Sequence, residues 1–282
     1  MSLRRLVPWL ALLPMAAAVL LGYLGPALWT ARVSLSSSRT FPQDDFVGLA
    51  QYERLFSNER WLLSLGNLAV YGVLFIAACM LLGFLLAVAI DRQVRGQGLL
   101  RTVFLYPYAK SFVATGLVWQ WVLKPGSGLQ QAVRQLGWAG FGFDWITDPD
   151  RVLYTLVIAG VWQASGLVMA LMLAGLRGID DELWKATRID GIPTWRVYVS
   201  IVLPMLAPTL ATVFVLLATG AVKVFDTVVA MTQGGPGNAS DVPARFIMDH
   251  LFGRANIALA SAGAMVLLLS ALVLAAPLLA LR

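Results

Sequence analysis

Six apolar runs, each long enough to cross a bilayer, leave this chain few ways to fold. At about 1.5 Å per residue a helix of some 20 residues spans the roughly 30 Å hydrocarbon layer. Residues 6–31, 67–90, 102–123, 152–176, 204–229 and 258–281 all reach that length. Within lipid, backbone N–H and C=O groups have to be paired inside their own segment, which a helix does. The expected fold class is therefore all-α, a polytopic membrane protein with six transmembrane helices. Hydrophobic residues make up 59% of the chain and charged ones 13%, which suits lipid and not a soluble globule. The first run follows a short basic start, Arg4 and Arg5 included. It is too long for a signal-peptide core and has no convincing cleavage site, so it is expected to stay as a span.

Polar segments between the runs set the organisation. Residues 1–60 read as the first span plus an external segment, and residues 61–282 as a core of five spans carrying an internal loop at 177–204. In the polar stretch from Arg32 to Leu63, Tyr52, Leu55, Phe56 and Trp61 sit in amphipathic company, which predicts a surface segment lying near the lipid headgroups. Basic residues, among them Arg92, Arg95, Arg101, Arg177, Lys185, Arg188 and Arg196, are densest in the short loops on the side of Arg4 and Arg5. That bias predicts both termini in the cytoplasm.

One polar interruption reads as structured: ELWKATRIDGIPTWRVYVSIVLP, residues 182–204. Asp180, Asp181 and Glu182 place acid in a first helical turn, where the helix dipole favours it. Gly191 permits a sharp reversal, Pro193 cannot continue the ladder, and a helical pattern resumes from Trp195 to Ile201. The result is a short helix, a bend and a second helix. Leu183, Trp184 and Ala186 suit insertion into a groove of another protein.

The spacing in this stretch, Lys185-Ala186-Thr187, three residues, Gly191, nine residues, then Ile201-x-Leu203-Pro204, resembles the EAA loop of permease subunits of bacterial ATP-binding-cassette importers. Asp190-Gly191, Phe225-Asp226 and Thr232-Gln233-Gly234-Gly235-Pro236 are similar to segments of the carbohydrate branch, the maltose-permease-like family. The resemblance covers residues 60–282 and implies the type I ABC importer permease fold in a bacterial inner membrane. It implies an ABC ATPase dimer, a second homologous permease subunit and a periplasmic sugar-binding protein as partners, besides membrane lipid. It also implies that Glu182, Leu183, Trp184, Lys185, Ala186, Thr187, Asp190 and Gly191 couple to the ATPase. Lys185 stands where the family usually has Glu, and Thr187 where it has Ala. Pairing with a basic ATPase residue would then fall to Glu182, or be matched by a change in the partner. By the same resemblance, Trp162 and Gln163, with Ser165 beside them, correspond to a sugar site, while Leu217 and Ala221 are apolar where the maltose permease is polar.

The residues themselves offer little catalytic chemistry. No Gly-rich loop ends in Gly-Lys-Ser or Gly-Lys-Thr, so no cofactor is expected on this chain and ATP-Mg is assigned to the partner ATPase. The net charge of +6 is scattered and not gathered on an aromatic surface, which excludes nucleic acid. Cys79 lies in an apolar run and reads as a packing residue. His250, the one histidine, has no metal-ligating companions and reads as a solvated loop residue. Lys223 and Asp226, three apart in one expected helix, either neutralise each other or line a solute path. Lys110 either lines the path or snorkels. For Trp162 and Gln163 the alternative is helix packing. Gly234, Gly235 and Gly237 predict a turn that caps a cavity. An ion-coupled secondary transporter would need buried acidic relays, for which Asp226 is the one candidate. An intramembrane enzyme would need a nucleophile with a base, and none is spaced for it.

Overall fold

The computed structural model describes residues 12–91 and 96–280. Arg4, Arg5, Arg92, Arg95, the start of the first run and residue 281 lie outside them. The described chain is helical: α1 Leu12–Ser34, α2 Ala50–Phe56, α3 Glu59–Asp91, α4 Gln97–Leu105, α5 Phe112–Leu123, α6 Leu129–Gln135, α7 Val152–Arg177, α8 Asp181–Ile189, α9 Thr194–Met205, α10 Ala207–Val222, α11 Asp226–Met231, α12 Pro243–Met248 and α13 Ile257–Ala280.

Within the described residues all six expected runs are mainly helical, but two are not single rods. Among the described residues four helices, α1, α3, α7 and α13, are long and apolar enough to span a membrane, and α9 with α10 makes a fifth if counted as one. That pair bends by 72° at Leu206. Pro208, in the first turn of α10, has no N–H to continue the ladder from α9. The run expected at 102–123 is broken more fully. Tyr106–Ala109 forms a 3-10 turn around Pro107, and Lys110 is extended before α5 begins. With 12 residues, α5 covers about 18 Å and does not cross alone.

The described residues fall into two units, 12–62 with 246–269, and 63–245 with 270–280. In the first, Leu55, Trp61 and Phe246 are fully buried, and Trp61 packs on Phe246 with ring centroids 5.2 Å apart. Trp61 and Leu55 thus face inward, not toward headgroups as expected, with the Trp61 ring against Phe246 and Gly263, while the chain makes a turn after α1. That turn is held by Gln51 Nε2 donating to the Ser36 carbonyl and by the N–H groups of Ile257 and Ala258 donating to the carbonyls of Arg39 and Ser38. Phe56 stays exposed.

His250 is the second correction in this unit. It is 4% exposed, sits in a π-turn at Asp249–Gly253, and its Nδ1 lies 2.9 Å from the Phe246 carbonyl. Burial, with Arg254 and Arg60 near, lowers its pKa below the ordinary imidazole value. Burial pushes the neighbouring Asp249 carboxyl up, but hydrogen bonds and charges from Arg60 and Arg254 outweigh it and hold the group below its usual range.

The second unit is organised on α7. Two thirds of its most apolar window is buried, against 28% for α3, so α7 is the helix the others pack around. Gly166 lets α4 cross it: a Cβ there would collide with the Phe104 carbonyl. At its far end α7 stops at Arg177, and after Gly178, Ile179 and Asp180 the chain enters α8.

Candidate functional site

Halfway along α7 a cavity of about 390 Å³ opens inside the second unit. Gly160, Gln163, Ala164 and Leu167 line it, spaced i, i+3, i+4, i+7, which is one face of a helix. From α3 come Tyr71 and Phe75, whose rings stack 5.4 Å apart at 8°. Tyr108 and Phe112 arrive from either side of the Lys110 break, and Leu217, Thr219, Lys223 and Asp226 from the end of α10 and the start of α11.

Gln163 is the polar centre of the wall. It is 1% exposed, and its Nε2 donates to the Lys110 carbonyl at 3.0 Å. That bond satisfies the backbone group freed by the break in the third run. Its Oε1 is buried without a partner, a cost of about 1–3 kcal/mol unless something in the cavity donates to it. Lys110 itself turns onto the Tyr106 ring, Nζ 4.3 Å from the centroid, and is not part of the cavity wall.

Lys223 and Asp226 both face this space, but not as one helix pair. α10 ends at Val222 with Lys223 as its cap, Val224 and Phe225 intervene, and Asp226 opens α11. No ion pair joins them among the described residues. The two side chains line the cavity separately. Trp162 and Ser165 do not reach it. About 100° of helix turn per residue carries both off the stripe that Gln163 occupies, and Trp162 packs edge-on against Trp119, 5.9 Å away. The aromatic walls from Tyr71, Phe75, Tyr108 and Phe112 were not expected. The i, i+4 spacing of Tyr71 and Phe75 was the sequence signal that pointed to them. The arrangement offers flat rings, an amide acceptor, an ammonium and a carboxylate, which is a chemistry of binding and holds no nucleophile–base pair.

The second feature lies beyond α7. Asp180 caps α8, its carboxylate accepting from the Glu182 N–H at 3.0 Å. At the other end Gly191 adopts φ +66°, the Gly191 N–H donates to the Arg188 carbonyl and the Ile192 N–H to the Thr187 carbonyl, which together form a Schellman closure. α9 then restarts at Thr194 after Pro193. Leu183 and Trp184 are half-buried and pack on the unit's own core, Trp184 against Tyr198 at 5.7 Å. Expected to suit a groove of another protein, they are turned in part onto this chain's own core. An amphipathic helix lying on its own protein turns its largest apolar residues inward. The outward face carries Glu182, Lys185, Ala186 and Ile189, the last 85% exposed, with Asp190 and Gly191 beyond it. Thr187 is buried and its hydroxyl donates to the Trp184 carbonyl, so the hydroxyl in place of a methyl is satisfied.

Residues 79–280 match the family described as binding-protein-dependent transport system inner membrane component. The chain belongs to that family. A probable ABC transporter permease protein of Pyrococcus horikoshii is 36% identical over 96% of this chain and 94% of its own length. The trehalose/maltose transport system permease protein MalF of Thermococcus litoralis is 30% identical, over 82% of this chain and 79% of its own. Among solved structures, a bacterial alginate ABC transporter in complex with an alginate pentasaccharide-bound periplasmic protein superimposes with a TM-score of 0.81 at 21% identity, covering 96% of this chain and 92% of the other. The fold is thus the ABC importer permease fold, and the chain is an inner-membrane permease subunit of a binding-protein-dependent transport system. This membership sets aside the ion-coupled and enzymatic readings.

Proposed function

We propose that this permease forms part of the path of an ATP-driven importer for a sugar or sugar-like solute, with the mid-span cavity as its solute site. The observation that carries this reading is Gln163: a buried amide oxygen without a partner, facing a cavity walled by stacked aromatics halfway along the most buried helix. Aromatic faces pack on the C–H faces of a pyranose, and amide, ammonium and carboxylate groups exchange hydrogen bonds with hydroxyls. The sugar names carried by relatives point the same way.

In this reading α8 and the bend at Gly191 dock, on the cytoplasmic side, against a separate ATPase dimer that binds ATP-Mg. A second permease subunit completes the path, a periplasmic sugar-binding protein delivers the solute, and both termini are cytoplasmic. Closure of the ATPase pair moves α8, which the short link of residues 178–180 joins to α7, and α7 carries Gln163. The nucleotide cycle thereby biases which side the cavity opens to. Glu182, Lys185, Ala186 and Ile189 make the contact, and Gly191 sets its angle.

The test is uptake by proteoliposomes holding the complete transporter, offered labelled trehalose, maltose, xylose and glucose on their binding protein. ATP-dependent accumulation of at least one is expected, reduced at least tenfold by Gln163→Leu. Uptake that proceeds without ATP, or no uptake of any of the four, contradicts the reading.

A further inference from the structure

The pair α5 and α11 has two sides, and each side faces a cavity. Phe112, Asp226 and Thr227 look into the mid-span cavity, while Gln120, Trp121 and Met231 look into a second recess of about 650 Å³. Between the two the helices close tightly. A Cβ on Gly116 would come within 2.6 Å of the Ala230 Cβ, and Gln120 Nε2 donates to the Met231 carbonyl at 3.0 Å. From Phe112 to Trp121 the rise along α5 is about 13 Å, so the two spaces are neighbours separated by one wall.

The second recess has its own recognition groups. The Trp121 indole is 67% exposed and forms part of its lining. Around it stand Lys124, Gln120, whose bond to Met231 uses only its Nε2, and Thr147, whose hydroxyl donates to the Asp144 carbonyl and can still accept. The Thr232 hydroxyl belongs to the floor: it donates to the Val228 carbonyl and takes hydrogen bonds from Ser240 Oγ and the Gly234 N–H, fixing the Gly234–Pro236 turn. An exposed indole beside an ammonium, an amide oxygen and a hydroxyl suits the C–H face and hydroxyl rim of a sugar. Residues 146 and 147 precede α7 and the docking stretch follows it, so the recess lies at the opposite end of α7 from α8.

We propose that this recess is a second, outer solute subsite, in which a mono- or disaccharide rests on Trp121 before the α5–α11 wall opens toward the mid-span cavity. The inference rests on the sugar-import reading above. It adds a site on the side from which the solute arrives.

The experiment uses the complete reconstituted transporter and the same four labelled sugars. Trp121→Ala is expected to lower the initial uptake rate about five- to tenfold, and Trp121→Phe to restore most of it. The concentration of loaded binding protein that half-stimulates ATP hydrolysis should stay unchanged. Cys79, the one native cysteine of this chain, is buried, so Thr147→Cys, in a transporter whose other subunits carry no cysteine, supplies one accessible thiol, whose labelling the transported sugar should slow. If Trp121→Ala transports as well as the native chain, the subsite is wrong and the import reading stands. If its loss follows a weaker response to the binding protein, with no sugar protection of Thr147→Cys, the recess is a protein-docking surface and the proposal fails. If the native transporter moves none of the four sugars, the import reading falls and the subsite with it.

Discussion

The mid-span cavity and the docking stretch lie on consecutive helices, α7 and α8, yet they are built by opposite rules. The cavity gathers residues separated by more than 150 positions, from Tyr71 to Asp226, onto the most buried helix, where a single added methyl meets backbone. The docking stretch is contiguous, capped by its own Asp180, closed by its own Gly191, and exposed along its outer face. Packing dictates the first and local chain chemistry the second. This difference suits the roles proposed for them: a solute site assembled from several helices can be opened by their movement, whereas a lever has to hold its shape by itself.

Two glycines put this contrast at its sharpest. At Gly166 a methyl group would strike the Phe104 carbonyl, so Gly166→Ala is expected to cost about 3 kcal/mol or more and to show as a large fall in melting temperature and yield in detergent. At Gly191 nothing lies within 4 Å of an added Cβ, and the penalty comes from φ +66° alone. Gly191→Ala should cost only about 1 kcal/mol, with melting little changed and ATP-driven uptake reduced because the lever is re-aimed. Equal destabilisation by the two would break the distinction.

Gln163→Leu comes next. It leaves the Lys110 carbonyl without its donor, about 1–3 kcal/mol, while removing the acceptor in the cavity. Thermal melting and uptake should both fall, whereas Trp162→Phe, off the cavity, should leave uptake near the native rate.

Within α8 the inward and outward faces should separate in the same way. Trp184→Ala removes a half-buried ring from Tyr198 and is expected to lower stability by about 1–2 kcal/mol. Ile189→Ala, at an exposed site, should leave melting unchanged within about 0.5 kcal/mol and weaken co-purification of the ATPase.

The smallest effect concerns acid. Because His250 is held below its ordinary pKa of about 6.5, the unfolded chain takes up a proton there before the folded one does. Stability from this group is present above that value and is lost as pH falls through it. Melting temperature should drop modestly between pH 7.5 and 5.5, and His250→Phe should flatten that slope. Asp249, also held low, adds its loss only in stronger acid.

What was legible in the sequence follows the same division. The ends of α8, the bend and the restart at Thr194 were readable because an acidic cap, a glycine and a proline act on their immediate neighbours. The spans were readable because lipid demands length. Breaks at Lys110 and Leu206 were harder. Pro107 and Pro208 marked them, but prolines are tolerated in membrane helices when other groups satisfy the freed backbone, and the group that does so at Lys110 is Gln163, 53 positions away. The cavity wall was half readable. Trp162 and Gln163 are neighbours in sequence and not on the helix surface, so only one could face the space. Tyr71, Tyr108 and Phe112 became part of a site only once three helices had packed. The inward face of Leu183 and Trp184 likewise depended on the core beneath them.

The most direct test of the account is the sidedness of one thiol. Thr219→Cys, on the wall of the mid-span cavity, would be labelled by an impermeant thiol reagent in proteoliposomes holding the complete transporter, with and without trapped ATP. The account predicts that ATP switches labelling from the cytoplasmic to the external side and that Gly191→Asp abolishes the switch without preventing insertion. Labelling that ignores nucleotide, or that still switches in Gly191→Asp, would contradict it.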